Sequence, residues 1–169
     1  ADFVGTKSLQ ADAELCVMIS EILEKCGLSK EDYIIKISSR KITEELFKKL
    51  KLDDDEQKLT VLRALDKIDR LGWAGVKQLL SEGRKDKSGD FTKGANLSLS
   101  NIEVIEKELN KKSPETDDLL EIFKTFKDYE FSNFEFDPSV IRGLEYYTGP
   151  IFEVNLKFEV KNNRGKVIQ

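Results

Sequence analysis

The sequence has 169 residues, of which 39% are hydrophobic and 36% are charged, and its formal net charge is −4. These values predict a polar globular chain with a core of modest size, and they exclude a global electrostatic attraction to nucleic acid or to an anionic membrane. No apolar run approaches the roughly 20 residues that a membrane-spanning helix requires. The chain contains no histidine, which excludes Ser-His and Cys-His nucleophile pairs. Any chemistry must therefore use carboxylates, arginine, lysine, tyrosine or a bound cofactor.

The two cysteines, Cys16 and Cys26, fall in one helical pattern. Their separation corresponds to roughly 15 Å along a helix, which is too long for a disulfide. Without histidine, a zinc site would also lack its usual ligands. We interpret both cysteines as structural thiols of a chain in the reducing cytoplasm, and we predict no metal site.

The first 39 residues predict a strand, a helix and a second strand in that order. Residues 1–5 predict a short strand. Apolar residues at spacings of three and four predict an amphipathic helix over residues 9–26, which Gly27 ends. The β-branched run at residues 33–37 predicts the next strand. This order is typical of a domain that combines helices with a sheet.

Residues 40–128 predict an almost purely helical block, which is neutral overall because it carries 19 basic and 19 acidic residues. Its predicted helices cover, in chain order, residues 42–52, a span from the acidic cap at 53–55 through 71, and residues 73–80, 98–109 and 114–126. Capping signals predict the starts of the last two helices, at Ser100 with Glu103 and at Ser113-Pro114 with Glu115. A charged loop at residues 83–94 interrupts the block.

Strand patterns resume after the helical block. Residues 130–136 predict a strand region, and residues 151–158 alternate apolar and polar side chains with a period of two. The simplest interpretation is a sheet-containing domain formed by residues 1–39 and 130–169, with a helical domain inserted at residues 40–129.

The most concentrated group of polar side chains lies at residues 136–154, where a glycine-bounded segment interrupts two predicted strands. Arg142, Glu145, Tyr146 and Tyr147 all fall within six residues. A guanidinium binds carboxylate or phosphate through two parallel hydrogen bonds, and phenols add apolar faces and hydroxyl groups. A pocket for an anion beside aromatic rings fits this pattern, and so does a structural strand with an ion-paired arginine. Spacing alone does not decide between them.

Residues 136–153 read Phe-Asp-Pro-Ser-Val-Ile-Arg-Gly-Leu-Glu-Tyr-Tyr-Thr-Gly-Pro-Ile-Phe-Glu. This run resembles the histidine-specific signature of the histidyl-tRNA synthetase family, in which Arg-Gly-Leu, an acid and Tyr-Tyr-Thr-Gly precede a Phe-Glu strand. Further segments resemble the family in the right order, namely residues 2–5 with 11–14, 36–41, 64–72 and 89–95. The resemblance therefore covers nearly the whole chain.

The resemblance implies an α+β fold, in which part of a mainly antiparallel class II synthetase sheet is interrupted by an all-helical insertion domain. It also implies an aminoacyl-tRNA ligase that activates histidine with ATP and Mg²⁺ to histidyl-adenylate, and then transfers histidine to the 3′ end of its tRNA. The same resemblance implies a cytoplasmic protein whose full-length form is a homodimer.

Individual residues can be matched to the family's site. Arg142 matches the signature arginine, which would contact the α-phosphate and the histidine carboxylate and stabilise charge during adenylate formation. Asp2 matches the acid that holds the substrate ammonium group, and the alternative is a solvated aspartate at a strand edge. Tyr147 and Tyr146 match the imidazole pocket, with core packing as the alternative for Tyr146. Glu145 stands at the family's acidic position, where we expect a local ion pair. Asp2 and Tyr147 should then lie within about 15 Å of each other, because both must reach one small ligand.

The helical block corresponds to the family's insertion domain, which closes over the acceptor arm of the tRNA. Within it, Arg84, Lys85, Lys87 and Lys93 form, with Phe91, a compact basic loop suited to phosphates. The alternative is a solvated charged loop without a ligand.

Several parts of the family's site have no match in these 169 residues: motif 1, the motif 2 arginine that binds ATP, motif 3 and the anticodon-binding domain. We therefore expect that this polypeptide alone does not aminoacylate tRNA. Two alternatives stay open. One is the histidine-binding regulatory subunit of ATP phosphoribosyltransferase, which shares the fold but often lacks such an insertion domain. The other is a non-catalytic module that binds RNA.

Overall fold

A computed structural model describes residues 1–142, 148–163, 165, 167 and 168. The helices are, in chain order, α1 (Leu9–Lys25), α2 (Arg40–Leu50), α3 (Asp55–Leu65), α4 (Ile68–Leu80), α5 (Leu99–Leu109) and α6 (Asp117–Asp128). The strands are β1 (Tyr33–Ser39), β2 (Gly83–Lys85), β3 (Phe91–Lys93), β4 (Phe134–Phe136), β5 (Pro150–Leu156), β6 (Val160–Lys161) and β7 (Val167–Ile168). This combination confirms the α+β prediction. No helix within the described ranges is both long and apolar enough to cross a membrane.

β1 is the central strand of a three-stranded sheet in the order β4-β1-β5. β5 runs antiparallel to β1 along its whole length, from Tyr33 opposite Leu156 to Ser39 opposite Pro150. β4 runs parallel to β1 over a shorter stretch. Because side chains alternate along a strand, β1 presents one apolar face and one partly polar face.

The first core lies between the apolar face of this sheet and helices α1 and α6. Tyr33, Ile35 and Ile37 of β1 point into it and are fully buried. Phe126 of α6 is also fully buried, with its ring centroid 4.6 Å from that of Phe134 in β4. Helix α6 therefore packs on the sheet beside α1, although the sequence pattern groups it with the other helices of the block.

The second core lies among α2, α3, α4 and α5. All four helices contribute fully or almost fully buried side chains, among them Leu46, Leu62, Leu65, Leu80, Ile102 and Ile105. Ile141, from the segment after β4, packs into the same core. The residue that precedes Arg142 is thus anchored among the helices, while the strands before and after it belong to the sheet.

The region predicted as a charged loop at residues 83–94 is instead a hairpin of β2 and β3. Gly83 has a φ of 121°, and a Cβ at this position would overlap the backbone oxygen of Thr92. Glycine is required here because it allows both the positive φ and the close approach of the two strands. Asp86 closes the turn by accepting backbone hydrogen bonds within it.

Two further predictions about elements are wrong. Residues 1–5 form no strand within the described residues, because no described strand pairs with them, and they lie exposed before α1. The helix predicted through residue 71 ends at Leu65, and α4 begins at Ile68. α4 is itself kinked at Gly72, whose φ is 63°.

The predicted caps of the last two helices are also wrong, in each case by position. α5 is capped by Ser98, whose hydroxyl accepts a hydrogen bond from the Asn101 backbone N–H, rather than by Ser100. The N-cap of α6 is Thr116, three residues after the predicted cap at Ser113. Each region offers several polar residues that can cap, and packing selects one of them.

Candidate active-site face of the sheet

The second face of the sheet carries charged and polar side chains from all three strands. Lys36 of β1 lies beside Glu135 of β4 and opposite Glu153 of β5. Asn155 is two residues from Glu153 and shares its face. The neighbours of Lys36 in β1 point into the first core, so this polar face looks away from that core.

Lys36 is the central cation of the polar face. Its Nζ lies 2.7 Å from Asp137 Oδ2 and 4.0 Å from the Glu135 carboxylate, and its side chain is 20% exposed. Burial lowers the pKa of Lys36, but the hydrogen bond and the charge of Asp137 outweigh burial, and the net effect is a raised pKa. Burial likewise raises the pKa of Asp137, but the hydrogen bonds from Lys36 and Ser139 outweigh it and leave this pKa below its ordinary value. The two side chains therefore form a charged pair.

Arg142 lies where the sheet meets the helical block. Its Nη2 donates a hydrogen bond to Glu153 Oε2 on β5, and its Nη1 lies 3.8 Å from Asp66 Oδ1, at the end of α3. Its backbone oxygen accepts a hydrogen bond of 3.5 Å from Arg40 Nη1 at the start of α2. The side chain is 38% exposed, so a ligand can reach the guanidinium from solvent.

Asn155 connects the two cations. With its amide oxygen toward Lys36, that oxygen accepts a hydrogen bond of 3.1 Å from Nζ, and the amide nitrogen donates one of 3.2 Å to Glu153 Oε1. The other oxygen of the Glu153 carboxylate binds Arg142. A continuous chain of hydrogen bonds therefore runs from Asp137 through Lys36, Asn155 and Glu153 to Arg142.

This arrangement suits electrostatic binding of a small charged ligand. A guanidinium matches the planar geometry of a carboxylate or phosphate, and the surrounding carboxylates can attract an ammonium group. Fixed charges of this kind stabilise charge that develops during a reaction.

The other residues expected at the site fall into two groups. Asp2 lies in the exposed segment before α1, and among the described residues it is not one of the ion-pair partners of Arg142. Glu145, Tyr146 and Tyr147 lie outside the described residues. The expected distance between Asp2 and Tyr147 therefore stays a prediction.

The basic residues of the β2–β3 hairpin do not form a single patch. Lys85 is opposite Phe91 in the ladder, and Lys93 is two residues further along β3, so these three side chains share one face. Phe91 is 60% exposed. Arg84 points to the other face, toward α4, and Lys87 is exposed in the turn. The structure separates Arg84 from the face that Lys85 and Lys93 share.

An open cavity of about 710 Å³ lies between α2 and α3. Its charged rim residues have both signs: Arg40, Glu44, Lys48, Lys51, Asp53, Asp55 and Lys58. One of its lining residues, Arg40, also donates a hydrogen bond to the Arg142 backbone oxygen and so connects the cavity to the polar face. Because its mixed rim favours no particular ligand, the candidate site remains the polar face of the sheet.

The sequence did not identify the partners of Arg142. Glu153 and Asn155 are the polar positions of an alternating strand, and Lys36 interrupts a run of isoleucines, so each was visible as a polar site in a strand. Their mutual contacts depend on strand register and could not be read from the pattern alone.

The family comparison and the individual relatives point to the same family over almost the whole sequence. The sequence profile of the family described as histidyl-tRNA synthetase matches residues 1–159. A histidine–tRNA ligase of Bartonella henselae is 42% identical over 193 aligned residues, which cover 99% of this chain and 39% of that protein. A histidine–tRNA ligase of Rhizobium meliloti is 40% identical, with 99% of this chain and 38% of that protein covered. The chain thus spans about two-fifths of the length of these relatives.

Two solved structures share the fold. A histidyl-tRNA synthetase from Nostoc superimposes with a TM-score of 0.69 at 20% identity, covering 89% of this chain and 37% of that chain. A protein from Bacillus halodurans, described as an ATP phosphoribosyltransferase regulatory subunit/histidyl-tRNA synthetase, gives a TM-score of 0.60 at 18% identity, covering 90% and 41%. At these identities the superpositions establish the fold alone.

Proposed function

The chain belongs to the histidyl-tRNA synthetase family, and we propose on that premise that it forms part of an ATP-dependent histidine–tRNA ligase. The whole enzyme would activate histidine to histidyl-adenylate and transfer it to the 3′ end of its tRNA. It would act in the cytoplasm as a homodimer, with histidine, ATP and the tRNA as its substrates.

The observation that supports this proposal is the position of Arg142. It is the arginine of the signature, and its partly exposed guanidinium lies at the edge of the polar face. In the proposed reaction a histidine carboxylate oxygen attacks the α-phosphorus of ATP, and pyrophosphate leaves. The carboxylate is itself the nucleophile, so the protein needs no general base. Arg142 would hold the carboxylate and the α-phosphate and stabilise the charge that builds on phosphorus.

We propose that the remaining residues of the signature complete the amino-acid site. Asp2 would hold the substrate ammonium group, because an ammonium group taken out of water requires a carboxylate partner. Tyr146 and Tyr147 would contact the imidazole ring. Asp2 lies in the exposed segment before α1, where its carboxylate is open to solvent.

ATP and Mg²⁺ fit this chain only in part. Arg142 suits the α-phosphate of ATP, but within the described ranges no group of three or more acidic or cysteine side chains is arranged to hold a metal ion. In the proposed enzyme Mg²⁺ would accompany the nucleotide. It would neutralise phosphate charge and assist the departure of pyrophosphate.

We further propose that residues 1–39 and 130–169 belong to the catalytic domain and that residues 40–129 include the insertion domain. The second core, formed by α2 to α5, supports a separate helical unit. Because α6 packs on α1 and β1 in the first core, the helical unit itself is best placed before α6.

We propose that the β2–β3 hairpin contacts tRNA through Lys85, Lys87 and Lys93. Arg84, on the opposite face of the hairpin, would make a smaller contribution. Lysines neutralise phosphates without reading sequence, so this contact should weaken as salt concentration rises. It would add to the affinity of the enzyme and need not select the tRNA.

Histidine-dependent ATP–pyrophosphate exchange by the full-length protein tests the proposal. We expect Arg142→Gln to reduce exchange by about 10²-fold to 10³-fold, which is typical when a donor to a developing charge is lost. Arg63→Gln is the matched control, because Arg63 is an exposed arginine of α3 with the same loss of charge. Equal exchange by the two variants would contradict the role of Arg142.

The same assay addresses the alternatives. We expect the 169-residue chain alone to show no exchange, and measurable exchange would contradict that expectation. If the full-length protein bound histidine but neither exchanged pyrophosphate nor charged tRNA, it would instead be a regulatory subunit, as the description of the Bacillus halodurans neighbour allows.

A further inference from the structure

Arg142 lies in a segment without regular secondary structure, so backbone pairing does not fix the direction of its guanidinium. The Asp137 backbone N–H still donates to the Ile37 oxygen of β1, but residues 138–142 belong to no described strand, and the Arg142 side chain extends from them toward β5. Its direction must therefore be set by the groups that contact it. Asp66 is 3.8 Å away and 40% exposed, and an exposed pair at that distance constrains a side chain only weakly.

Glu153 provides the stronger constraint, and it is itself held in place. It is 26% exposed and lies on β5, where its backbone is fixed by pairing with Lys36. One carboxylate oxygen accepts from Arg142 and the other accepts from the Asn155 amide. A carboxylate engaged through both oxygens can rotate little, so the direction of the Arg142 guanidinium follows from that of Glu153.

Lys36 sets the orientation of Asn155. Because Nζ can only donate, it faces the amide oxygen and turns the amide nitrogen toward Glu153. Lys36 also binds Asp137, which begins the irregular stretch of residues 137–142. Among these residues, Asp137 and Arg142 both bind side chains of the sheet.

We propose that Asn155 is a positioning residue for Arg142, acting through Glu153 and oriented by Lys36. The proposal deepens the proposed function, because it assumes that Arg142 contacts the reacting groups. Asn155 itself need not touch the substrate. Its effect should appear in the rate of adenylate formation, since misplacing a reacting or stabilising group by about 1 Å can reduce a rate by about 10²-fold.

The test is the variant Asn155→Asp in the full-length enzyme. The new carboxylate still accepts from Lys36, but it cannot donate to Glu153 and it repels that side chain. We expect kcat for histidine-dependent pyrophosphate exchange to fall by about tenfold to 10²-fold, with a much smaller change in KM for histidine. Lys157→Gln is the matched control. It makes the same change in net charge, and Lys157 is an exposed residue that directly follows the end of β5.

A double variant shows whether Asn155 acts through Arg142. If it does, Asn155→Asp should reduce kcat no further once Arg142→Gln is present, because residues of one network are not additive. A spectroscopic measurement gives a second readout. In nitrogen-15 NMR spectra of the 169-residue chain, the Arg142 Nε–Hε signal should shift and exchange faster with water in Asn155→Asp, and should not change in Lys157→Gln.

The outcomes separate the two proposals. An Asn155→Asp enzyme with the kcat of the Lys157→Gln control overturns the positioning role, as does a double variant whose losses multiply. If Arg142→Gln has full activity, the proposed role of Arg142 is refuted, whatever the effect of Asn155→Asp. A loss of kcat confined to Asn155→Asp, absent from the Arg142→Gln background and accompanied by the NMR change, supports the inference.

Discussion

Ser39 joins the sheet to the helical block, and we expect its replacement by alanine to destabilise the chain more than the loss of any ordinary helix cap. Ser39 is the last residue of β1 and the N-cap of α2, where its Oγ accepts a hydrogen bond from the Lys41 backbone N–H. The same hydroxyl donates a hydrogen bond of 2.6 Å to Asp118 Oδ2 on α6. Both Ser39 and Asp118 are almost completely buried. One hydroxyl therefore connects β1, α2 and α6.

The expected magnitude follows from these two contacts. Removing a serine cap costs about 1 kcal/mol. Leaving a buried carboxylate oxygen without its donor costs about 1–3 kcal/mol more, because the remaining cation near that oxygen, Lys41 Nζ, is 3.9 Å away. Ser39→Ala should thus lower the free energy of unfolding by about 2–4 kcal/mol, which corresponds to a fall in Tm of roughly 5–15 °C for a chain of this size.

Thermal unfolding followed by circular dichroism measures this difference. Ser98→Ala is the matched control, because the Ser98 hydroxyl also caps its helix by accepting a backbone hydrogen bond, but Ser98 is exposed and its side-chain partner, Ser100, is exposed too. It should cost only about 1 kcal/mol. Equal losses for the two variants would refute the reasoning, since they would show that the bond to Asp118 contributes nothing. A double-mutant cycle with Asp118→Asn then isolates the coupling between the two side chains.

Three further predictions concern the site, the hairpin and the thiols. Because the pKa of Asp137 is lowered in the folded chain, its carboxylate stabilises the folded state at pH values above its ordinary pKa of about 3.9, and this contribution disappears as the pH falls through the folded pKa. In urea titrations below about pH 4, the stability of Asp137→Asn should therefore fall less steeply with decreasing pH than that of the wild type. Gly83→Ala should open the β2–β3 hairpin, measured by faster amide hydrogen exchange there, because the new Cβ would overlap the facing strand. Gly89→Ala has a similar positive φ of 94° but open space around it, so it should cost only about 1–2 kcal/mol of backbone strain, and equal exchange in the two variants would contradict the overlap. A disulfide reagent should label Cys26 at once and Cys16 only after unfolding, because Cys26 is exposed whereas burial, aided by a neighbouring aspartate, raises the pKa of the Cys16 thiol to about 12; prompt labelling of both thiols would refute this.

The regular elements could be predicted because their patterns are local. Apolar residues at helical spacing placed α1 within one residue at its end, and the alternation of β5 fixed which of its side chains share a face. Helix ends were less certain, because several polar residues near α5 and α6 could each act as the cap. The strand predicted at residues 1–5 failed for a related reason, since a strand pattern indicates a strand only when a partner is present.

The site could be predicted only in part, because its contacts join distant residues. The signature located Arg142 from neighbouring residues alone. Lys36 and Asp137 are 101 positions apart, and no local pattern indicates that they meet. The position of α6 could not be predicted for the same reason. Its apolar stripe predicts that one face is buried, but only the folded chain shows that this face packs on β1 and α1.

The apolar face of β1 also determines the geometry of the polar face. Because side chains alternate along a strand with a period of two, a slip of one residue would move Ile35 and Ile37 out of the first core and turn Lys36 into it. Burial of each isoleucine is worth about 1.5–3 kcal/mol, far more than an exposed ion pair contributes. The core therefore holds the register that places Lys36 opposite Glu153, and the chain of hydrogen bonds to Arg142 needs little stability of its own. Substitutions in the first core that preserve apolar volume should leave this register, and hence the direction of Arg142, unchanged.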